Sequence, residues 1–385
     1  MGGIKTMRET MIMSPGPTEV HEEVRRAMAS PILIPEGHPD FIKYYSSLTD
    51  KLKKIFKTEN DVRILNGEGI LGLEAAIASL LDPGDRVLCI ENGIFGQTFG
   101  KMAESYGATV TYFSSDNKKP IDVNGLERVL KDDNEYKLAT FVHCETPTGV
   151  INNIEKINTL LRNYEILSVV DAVSTIGGEK IETDHWNLDV VITASQKCFS
   201  TPSGLVMISI SDKAWEMMTN KKQKTQGFYT NLLPWKDIQK TGTLPYSQPI
   251  PQLYALEKAI DRWYQEDVIA RHNFLGNGVK QAVINAGLSL YPDSGFSNTV
   301  SAVVIPQGIT YKMIRDELWK EDRIFVSTSL GELSGKVLRI GHMGENCNEE
   351  KLYRLLKALT LVFKKYGVFL KEDLHKAFVD ALSKK

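Results

Sequence analysis

Two chemically reactive side chains follow two apolar runs in this sequence. The run Val190–Ala194 leads into Ser195-Gln196-Lys197, and the run Ile166–Val170 ends at Asp171. If both runs are strands of one α/β sheet, the lysine and the acid lie outside the carboxyl ends of those strands, where such sheets bind ligands. A lysine there can form a Schiff base with an aldehyde and later move a proton, and a nearby carboxylate can keep a pyridine nitrogen protonated. The pairing therefore predicts the chemistry of pyridoxal phosphate.

Three further signals each allow a functional and a purely structural interpretation. Gly67-Glu68-Gly69 precedes a helical segment, and helix N-termini bind phosphate well, although an ordinary strand-to-helix turn is the commoner explanation of so short a motif. Phe95 could stack on a pyridine ring or belong to the core. Arg339, near the end of Lys336–Ile340, could hold a substrate carboxylate through two hydrogen bonds or lie exposed at a strand end.

Other reactive residue types carry weaker signals. We expect His143, which precedes Cys144-Glu145, to be a hydrogen-bonded core histidine. Cys198 lies beside Lys197 without a local histidine, and we expect an inert buried thiol there. The histidines and carboxylates show no spacing typical of metal ligands, so no metal site is predicted.

The reactive residues need a sheet to position them, and the hydrophobic pattern predicts one. From about Ile64 onward, short apolar runs alternate with helical patterns, which is typical of a mostly parallel sheet covered by helices. The predicted strands are Arg86–Ile90, Thr109–Phe113, Leu138–His143, Ile166–Val170, Val190–Ala194 and a reversing strand, Leu205–Ile210; the predicted helices are Ile70–Leu81, Gln97–Tyr106, Gly125–Leu130 and Ile154–Asn163. The fold class is therefore α/β.

The C-terminal part shows a different pattern. Lys221–Lys240 is polar and poorly periodic, which favours a long loop, and Gln252–Ala270 is predicted to form one long helix at a hinge. Strand-like segments at Thr299–Ile305, Ile324–Ser327 and Lys336–Ile340, with helices near Ile314–Trp319, Glu349–Lys365 and Leu370–Leu382, predict a smaller α+β domain. We divide the chain into an N-terminal arm (1–20), a large domain (21–255) and a small domain (256–385).

Composition excludes several classes of partner. With 385 residues, 42% hydrophobic residues, 24% charged residues and a net charge of −2, the chain is typical of a globular protein with two packed units. No strong positive field is available for nucleic acid or anionic membranes, and no apolar stretch reaches membrane-spanning length. The four cysteines form no Cys-x-x-Cys pair and no secretory segment is evident, which favours reduced thiols in a cytoplasmic protein.

An ordered set of motifs resembles one enzyme family across nearly the whole chain. The set comprises Pro15-Gly16-Pro17-Thr18, Gly67-Glu68-Gly69, Leu73-Glu74-Ala75-Ala76, Pro83-Gly84-Asp85-Arg86-Val87, Asn92-Gly93-Ile94-Phe95-Gly96-Gln97, Glu145-Thr146-Pro147-Thr148-Gly149-Val150, Asp171-Ala172-Val173-Ser174-Thr175, Ser195-Gln196-Lys197 and Lys336-Val337-Leu338-Arg339-Ile340-Gly341. It resembles the class V aminotransferases, in the serine–pyruvate/alanine–glyoxylate branch of the fold-type I pyridoxal-phosphate enzymes.

The resemblance implies a role for each matching residue. Lys197 matches the Schiff-base lysine, Asp171 the partner of the pyridinium nitrogen and Arg339 the clamp for the substrate carboxylate. The remaining matches are Phe95 as the stacking aromatic, Gly69 and Ile70 as phosphate-binding backbone, Thr146, Val173 and Gln196 as ring contacts, with Gln196 also able to reach the phosphate, Gly16 near the substrate, and Tyr246 with Ser247 as the segment that reaches the neighbouring subunit's phosphate. The family also implies a homodimer with shared active sites.

Two positions depart from the family pattern. Glu68 stands where many relatives carry serine, and a carboxylate that faced a phosphate would repel it. We therefore expect the Glu68 side chain to point away, so that only backbone groups meet the phosphate. Leu244 replaces a tyrosine of some relatives, which affects the predicted contact across the subunit interface.

The resemblance favours an aminotransferase that moves the amino group of serine or alanine to pyruvate or glyoxylate. A cysteine desulfurase would have histidine before the lysine and a catalytic cysteine on a mobile loop, whereas here Gln196 precedes Lys197 and Cys347 follows Arg339. An aminotransferase for phosphonate- or phosphate-bearing amines and a non-catalytic homologue stay open, although the joint presence of Asp171, Lys197 and Arg339 argues against the latter. A nicotinamide-dependent dehydrogenase is disfavoured because the third glycine of its fingerprint is missing.

Overall fold

A computed structural model describes residues 10–384 of the chain. Its strands, in chain order, are β1 (Met11–Ile12), β2 (Asp61–Asn66), β3 (Arg86–Glu91), β4 (Thr109–Ser114), β5 (Leu138–Val142), β6 (Cys144–Glu145), β7 (Val150–Ile151), β8 (Leu167–Asp171), β9 (Val190–Ala194), β10 (Leu205–Ile210), β11 (Val300–Val304), β12 (Ile324–Phe325), β13 (Ser327–Thr328) and β14 (Val337–Gly341). Residues 1–9 of the arm that we assigned to 1–20 lie outside the described part.

The helices alternate with these strands in the first half of the chain and dominate the second half. They are α1 (Glu22–Met28), α2 (Pro39–Phe56), α3 (Gly69–Leu80), α4 (Ile94–Ser105), α5 (Val123–Asp132), α6 (Ile154–Arg162), α7 (Asp212–Thr219), α8 (Ile238–Thr241), α9 (Ile250–Trp263), α10 (Val268–Asn285), α11 (Tyr311–Asp322), α12 (Glu349–Lys365) and α13 (Leu374–Ser383). None of the helices in the described part is long and apolar enough to cross a bilayer.

A seven-stranded sheet with the order β2-β10-β9-β8-β5-β3-β4 forms the centre of the fold. The pairs β3–β4, β3–β5, β5–β8 and β8–β9 are parallel, whereas β10 is antiparallel to both β2 and β9. The predicted mostly parallel sheet and its reversing strand are thus confirmed. The inner strands are buried along their whole length because helices cover both faces of a parallel sheet.

The parallel pair β8 and β9 positions the residues that opened the sequence analysis. Asp171 is the last residue of β8, and Lys197 follows β9 by three residues. Because neighbouring parallel strands end at the same edge of a sheet, both side chains lie at that edge. Helix α3 packs on β9 and β10, so its N-terminus also lies near this edge.

A second hydrophobic cluster lies in the C-terminal part. A three-stranded antiparallel sheet, β11-β14-β13, packs with α10, α12 and α13 around leucine, isoleucine and valine side chains. Strand β1 joins this part by pairing in parallel with β12, and Met11 and Met13 enter the same cluster. The described N-terminal residues therefore bridge from the C-terminal cluster to the edge where Lys197 lies.

Two predicted elements are wrong in detail. Gln252–Ala270 is not one helix, because α9 ends at Trp263 and the Asp267 carboxylate starts α10 by accepting a hydrogen bond from the Ala270 N–H at 2.9 Å. The segment Lys221–Lys240 is not wholly loop, since a 3-10 turn at Leu233–Trp235 and the start of α8 lie within it. The fully buried Trp235 anchors that turn to the main core.

Candidate active site

A cleft of about 250 Å³ opens at the carboxyl ends of β8 and β9. Most of the residues predicted to form the site line it: Gly16, Gly69, Ile70, Phe95, Thr146, Asp171, Val173, Gln196 and Lys197. Arg339, Tyr246 and Ser247, which were also predicted, do not line it. The cleft gathers segments that are far apart in sequence, because each of them is a loop or helix start at one edge of the sheet.

Lys197 lies in the turn after β9, and the N-terminal segment holds it. Its Nζ donates a hydrogen bond to the Pro15 carbonyl at 2.6 Å, while the Thr18 hydroxyl donates to the Lys197 carbonyl at 3.0 Å. Burial lowers the pKa of the Lys197 ammonium, and the positive charge of Arg339 lowers it further, although Asp171 opposes the change. The lysine is thereby brought closer to the neutral form that a nucleophile or base requires.

Gly16 is a point of close approach between the N-terminal segment and this lysine. Its φ of +98° lies in the region that favours glycine, and a Cβ there would come within 2.5 Å of Lys197 Cδ. The glycine lets the chain pass over the lysine and places the Pro15 carbonyl against its amine.

Asp171 is a buried carboxylate fixed by its own turn. Its Oδ1 accepts a hydrogen bond from the Val173 N–H at 2.9 Å. Burial raises its pKa to about 6, while the Val173 N–H and the charge of Lys197 pull the pKa down and the charge of Glu68 pushes it up. A cationic N–H placed in the cleft would find here a rigid acceptor of opposite charge.

Glu145 has a role that the sequence analysis did not identify. It is completely buried, and its carboxylate accepts hydrogen bonds from the N–H groups of Gly96 at 2.7 Å and Phe95 at 3.3 Å, which caps the N-terminus of α4. Burial raises its pKa to about 7. Gly93 leaves the room for this contact, since a Cβ there would lie 2.7 Å from Glu145 Cδ. The cap fixes the start of α4, and with it the half-buried Phe95 ring.

The position of the Glu68 side chain contradicts the expectation that it points away from the phosphate site. Its carboxylate lines the cleft and caps α3, accepting from the Ile70 N–H at 3.3 Å through Oε1 and from Gln196 Nε2 at 3.4 Å through Oε2. The physical reason is that the first amides of a helix need an acceptor, and the glutamate side chain is the nearest one in sequence. Glu68 therefore stands where the family pattern predicts phosphate-binding backbone.

Gln196 links this carboxylate to the turn that carries Lys197. The Gln196 side chain is only 6% exposed, and its Oε1 has no hydrogen-bond partner among the described residues. A buried acceptor without a donor is uncommon in native structures. The amide orientation follows from Glu68, because only the Nε2 side can face a carboxylate favourably.

Arg339 lies on β14, close enough to Lys197 for its charge to lower that lysine's pKa. Its Nε donates to the Thr328 carbonyl at 2.9 Å, and no carboxylate of the described residues pairs with it within 4.0 Å. Burial lowers its pKa to about 10. A buried guanidinium with its outer nitrogens unpaired by protein carboxylates is suited to a carboxylate ligand.

Tyr246 and Ser247 lie apart from the cleft of their own chain. The Tyr246 ring packs against Tyr229 and Trp235, with centroids 4.4 and 5.2 Å away, and its hydroxyl has no partner among the described residues. Ser247 is exposed, and its carbonyl accepts from Asn66 Nδ2 at 2.5 Å. Leu244 packs half-buried beside the main core.

His143 and Cys198 are both buried, as expected. His143 is buried with its Nδ1 3.0 Å from the Thr175 hydroxyl, and burial lowers its pKa to about 3. Cys198 is a buried thiol whose pKa is raised by burial. Within residues 10–384, no group of three or more potential ligands could hold a metal ion.

Comparison with known proteins agrees with this geometry. The model of the class V aminotransferase family matches residues 35–273. An uncharacterized aminotransferase of Methanocaldococcus jannaschii is 33% identical over 94% of this chain and 95% of its own length. The structure of ureidoglycine–glyoxylate aminotransferase from Bacillus subtilis superposes with a TM-score of 0.93 at 29% sequence identity and covers 98% of each chain. The structure of pyridoxamine–pyruvate aminotransferase from Mesorhizobium loti superposes with a TM-score of 0.92 at 29% sequence identity and covers 97% of each chain. The chain belongs to the class V aminotransferase family.

Proposed function

We propose that this protein is an aminotransferase that passes an amino group to pyruvate or glyoxylate by means of a pyridoxal-type ring bound in the cleft. The observation that carries the proposal is the placement of Lys197 and Asp171 in one cleft, with the pKa of the lysine lowered by burial. Relatives named as alanine–glyoxylate and serine–glyoxylate aminotransferases, at 28% and 33% identity, support the choice of acceptor.

The chain's own residues divide the work of such a reaction. Asp171 would hold the proton on the ring nitrogen, and that protonated ring supplies the electron sink for proton removal. Lys197 would carry the proton between the two carbons that exchange the amino group. Phe95 and Val173 would flank the ring, and Thr146 would meet its edge.

Arg339 would hold the carboxylate of the oxo acid. Its buried guanidinium offers two outer nitrogens in the geometry that fits a carboxylate, and Thr328 fixes its orientation. Arg339 then determines the affinity for any 2-oxo acid, while the cleft shape distinguishes one acid from another.

Pyridoxal 5'-phosphate, the cofactor expected from the family, fits only one half of the cleft. The ring half matches Lys197, Asp171 and Phe95, whereas at the start of α3 the carboxylate of Glu68 already accepts the Ile70 amide. Two like unit charges 4 Å apart repel by about 1 kcal/mol in water and about 4 kcal/mol at an effective dielectric of 20. Lys197 is the one cation among the residues that line the described cleft, and it faces Asp171. The phosphate half does not fit.

The assembly and location are part of the proposal. We propose a homodimer with shared active sites, supported by exposed apolar side chains at Ile32, Leu33, Phe228 and Tyr229 and by the exposed Ser247 next to the half-buried Tyr246. The four unbridged cysteines support a cytoplasmic location. We also propose an arm (1–20), a large domain (21–255) and a small domain (256–385), and the two main hydrophobic clusters support two packed domains. Leu256 and Ile260, just past the proposed boundary, belong to the first cluster.

The direct test is amino transfer by the purified protein. L-alanine or L-serine is supplied with glyoxylate or pyruvate, once with pyridoxal 5'-phosphate and once with pyridoxal, and the new amino acid is quantified by chromatography. We expect product with the wild type and none with Lys197→Ala. Product from the Lys197→Ala variant at the wild-type rate would refute the proposed role of the cleft.

A further inference from the structure

The N-terminus of α3 presents hydrogen-bond acceptors to the cleft where a phosphate would require donors. We propose, on the basis of the proposed function, that the amino donor is unphosphorylated pyridoxamine, which binds as a substrate and leaves as pyridoxal, rather than a phosphorylated cofactor that stays bound. Glu68 and Gln196 would recognise its 5'-hydroxymethyl group.

The first step of the argument is the charge at this end of the cleft. The Glu68 carboxylate lines it, its charge reaches far enough to raise the pKa of Asp171, and no arginine lines the described cleft. The segment expected to arrive from a second subunit adds no compensating charge, because residues 241–249 contain neither lysine nor arginine. A phosphate dianion would meet net negative charge, whereas a neutral hydroxymethyl group would not.

The second step is the type of hydrogen-bonding atom that is available. Glu68 Oε1 already accepts the Ile70 N–H, which the family pattern reserves for phosphate. Gln196 Oε1 is buried and receives no hydrogen bond from any described residue, because the amide turns its Nε2 side to the Glu68 carboxylate and its oxygen to the other side. A phosphate dianion has only acceptor oxygens, so the Glu68 carboxylate could not bond to it, and the Gln196 amide directs its Nε2 donor to Glu68. A hydroxyl has a proton to donate, and either oxygen could receive it.

The third step is that the rest of the site suits the same ring with or without its phosphate. Gly69 lets α3 come close to the Asp171 turn, since a Cβ at residue 69 would lie 2.7 Å from Val173 Cγ2. Asp171, Lys197 and Phe95 would contact only the ring and its amino carbon in this arrangement. The ring can therefore be recognised without the ionic anchor that would keep it bound between turnovers.

The proposed reaction balances without any further reactant. Pyridoxamine and pyruvate give pyridoxal and alanine, and glyoxylate gives glycine instead. The C–N bond of pyridoxamine breaks and its carbon is oxidised by two electrons to the aldehyde, while the oxo carbon is reduced by two electrons and gains nitrogen and hydrogen. One water is released and one consumed. Lys197 takes the proton from the first carbon and delivers it to the second.

The experiment compares the wild type with Glu68→Ser and Glu68→Gln. Serine is itself a good N-cap and supplies a hydroxyl donor, whereas glutamine removes only the charge. Glu155→Gln is the control, because Glu155 is an exposed glutamate in the first turn of α6, away from the cleft. Initial rates are measured with pyruvate and either pyridoxamine or pyridoxamine 5'-phosphate. Retention of pyridoxal and of pyridoxal 5'-phosphate after desalting is measured from the visible spectrum.

We expect the wild type and Glu155→Gln to turn over pyridoxamine with saturation, to use its phosphate poorly and to lose both aldehydes on desalting. Glu68→Ser should retain pyridoxal 5'-phosphate, and its preference between the two donors should shift toward the phosphate by about 10- to 100-fold. Glu68→Gln should shift in the same direction.

A wild type that retains pyridoxal 5'-phosphate and prefers the phosphorylated donor overturns the inference. If pyridoxamine is not used but L-alanine and glyoxylate react in the presence of pyridoxal 5'-phosphate, the inference fails and the proposed function stands. If no combination gives product, both fail.

Discussion

Replacing Gly16 by alanine should damage catalysis more than folding. The added Cβ would lie 2.5, 2.7 and 2.8 Å from Cδ, Nζ and Cε of Lys197, whereas nonbonded carbons normally sit about 3.5 Å apart or more. The lysine must therefore shift by about 1 Å and lose its 2.6 Å hydrogen bond to the Pro15 carbonyl. A misplacement of about 1 Å at a reacting group costs on the order of 10²-fold in rate.

The control for this change is Gly84→Ala. Gly84 has a φ of +89°, close to the +98° of Gly16, but an added Cβ there meets nothing within 4 Å. Both variants should lose about 1–3 kcal/mol of folding free energy from the backbone conformation. Only Gly16→Ala should lose about 10²-fold in kcat.

The assay pairs initial rates of amination of pyruvate with urea unfolding of each variant. The reasoning is refuted if Gly16→Ala keeps more than about a third of the wild-type kcat. It is also refuted if Gly84→Ala loses about as much kcat as Gly16→Ala. Either result would show that the position of Lys197 does not determine the rate.

Four other changes have expected outcomes. Lys197→Ala should abolish amino transfer while the circular dichroism stays unchanged; amino transfer by the variant at the wild-type rate would contradict the role of Lys197. Arg339→Leu should raise KM for the oxo acid by about 10- to 100-fold, and an unchanged KM would mean that the carboxylate binds elsewhere. Because the pKa of Asp171 is about 6, its ionised fraction should fall as the pH drops below 6, and kcat/KM should fall with it. Glu68→Gln removes a negative charge near Asp171, which lowers the Asp171 pKa. The acid side of the pH profile of kcat/KM should therefore move to lower pH; a move to higher pH would contradict this. Arg63→Ala removes a buried guanidinium that donates to the Trp235 and Lys236 carbonyls, and the loss of both donors should destabilise the fold by about 2–6 kcal/mol; unchanged urea unfolding would contradict it.

The elements that sequence reasoning predicted best are those whose environment is uniform. Val190–Ala194 and Glu349–Lys365 have the predicted bounds. A strand buried on both faces is a continuous apolar run in the sequence, and an amphipathic helix repeats its apolar residues about every 3.6 positions. Helix α2 was not predicted, although Phe41, Tyr45, Leu48 and Leu52 lie four and three residues apart on its buried side. The run Tyr44-Tyr45-Ser46-Ser47 in its middle obscures that period.

From the residue pattern alone, the candidate site was predictable only at the strand ends, whereas most of the other cleft residues were expected from the family resemblance. Asp171 and Lys197 follow two apolar runs, so their meeting could be inferred from parallel pairing alone. The cap that Glu145 forms on α4 joins residues about fifty positions apart, and the sequence of neither segment predicts this contact. The hydrogen bond between Glu68 and Gln196 joins the start of α3 to a separate loop at the same cleft. Such contacts are set by tertiary packing and have no local signal.

The measurement that tests the central claim most directly is to trap a pyridoxal aldehyde on the protein with borohydride and locate the modified lysine by mass spectrometry. The account predicts that Lys197 carries the label. Lys221 and Lys280 are the internal comparison, because burial lowers their pKa too and neither lines the cleft. Labelling of those lysines with Lys197 left unmodified would contradict the account.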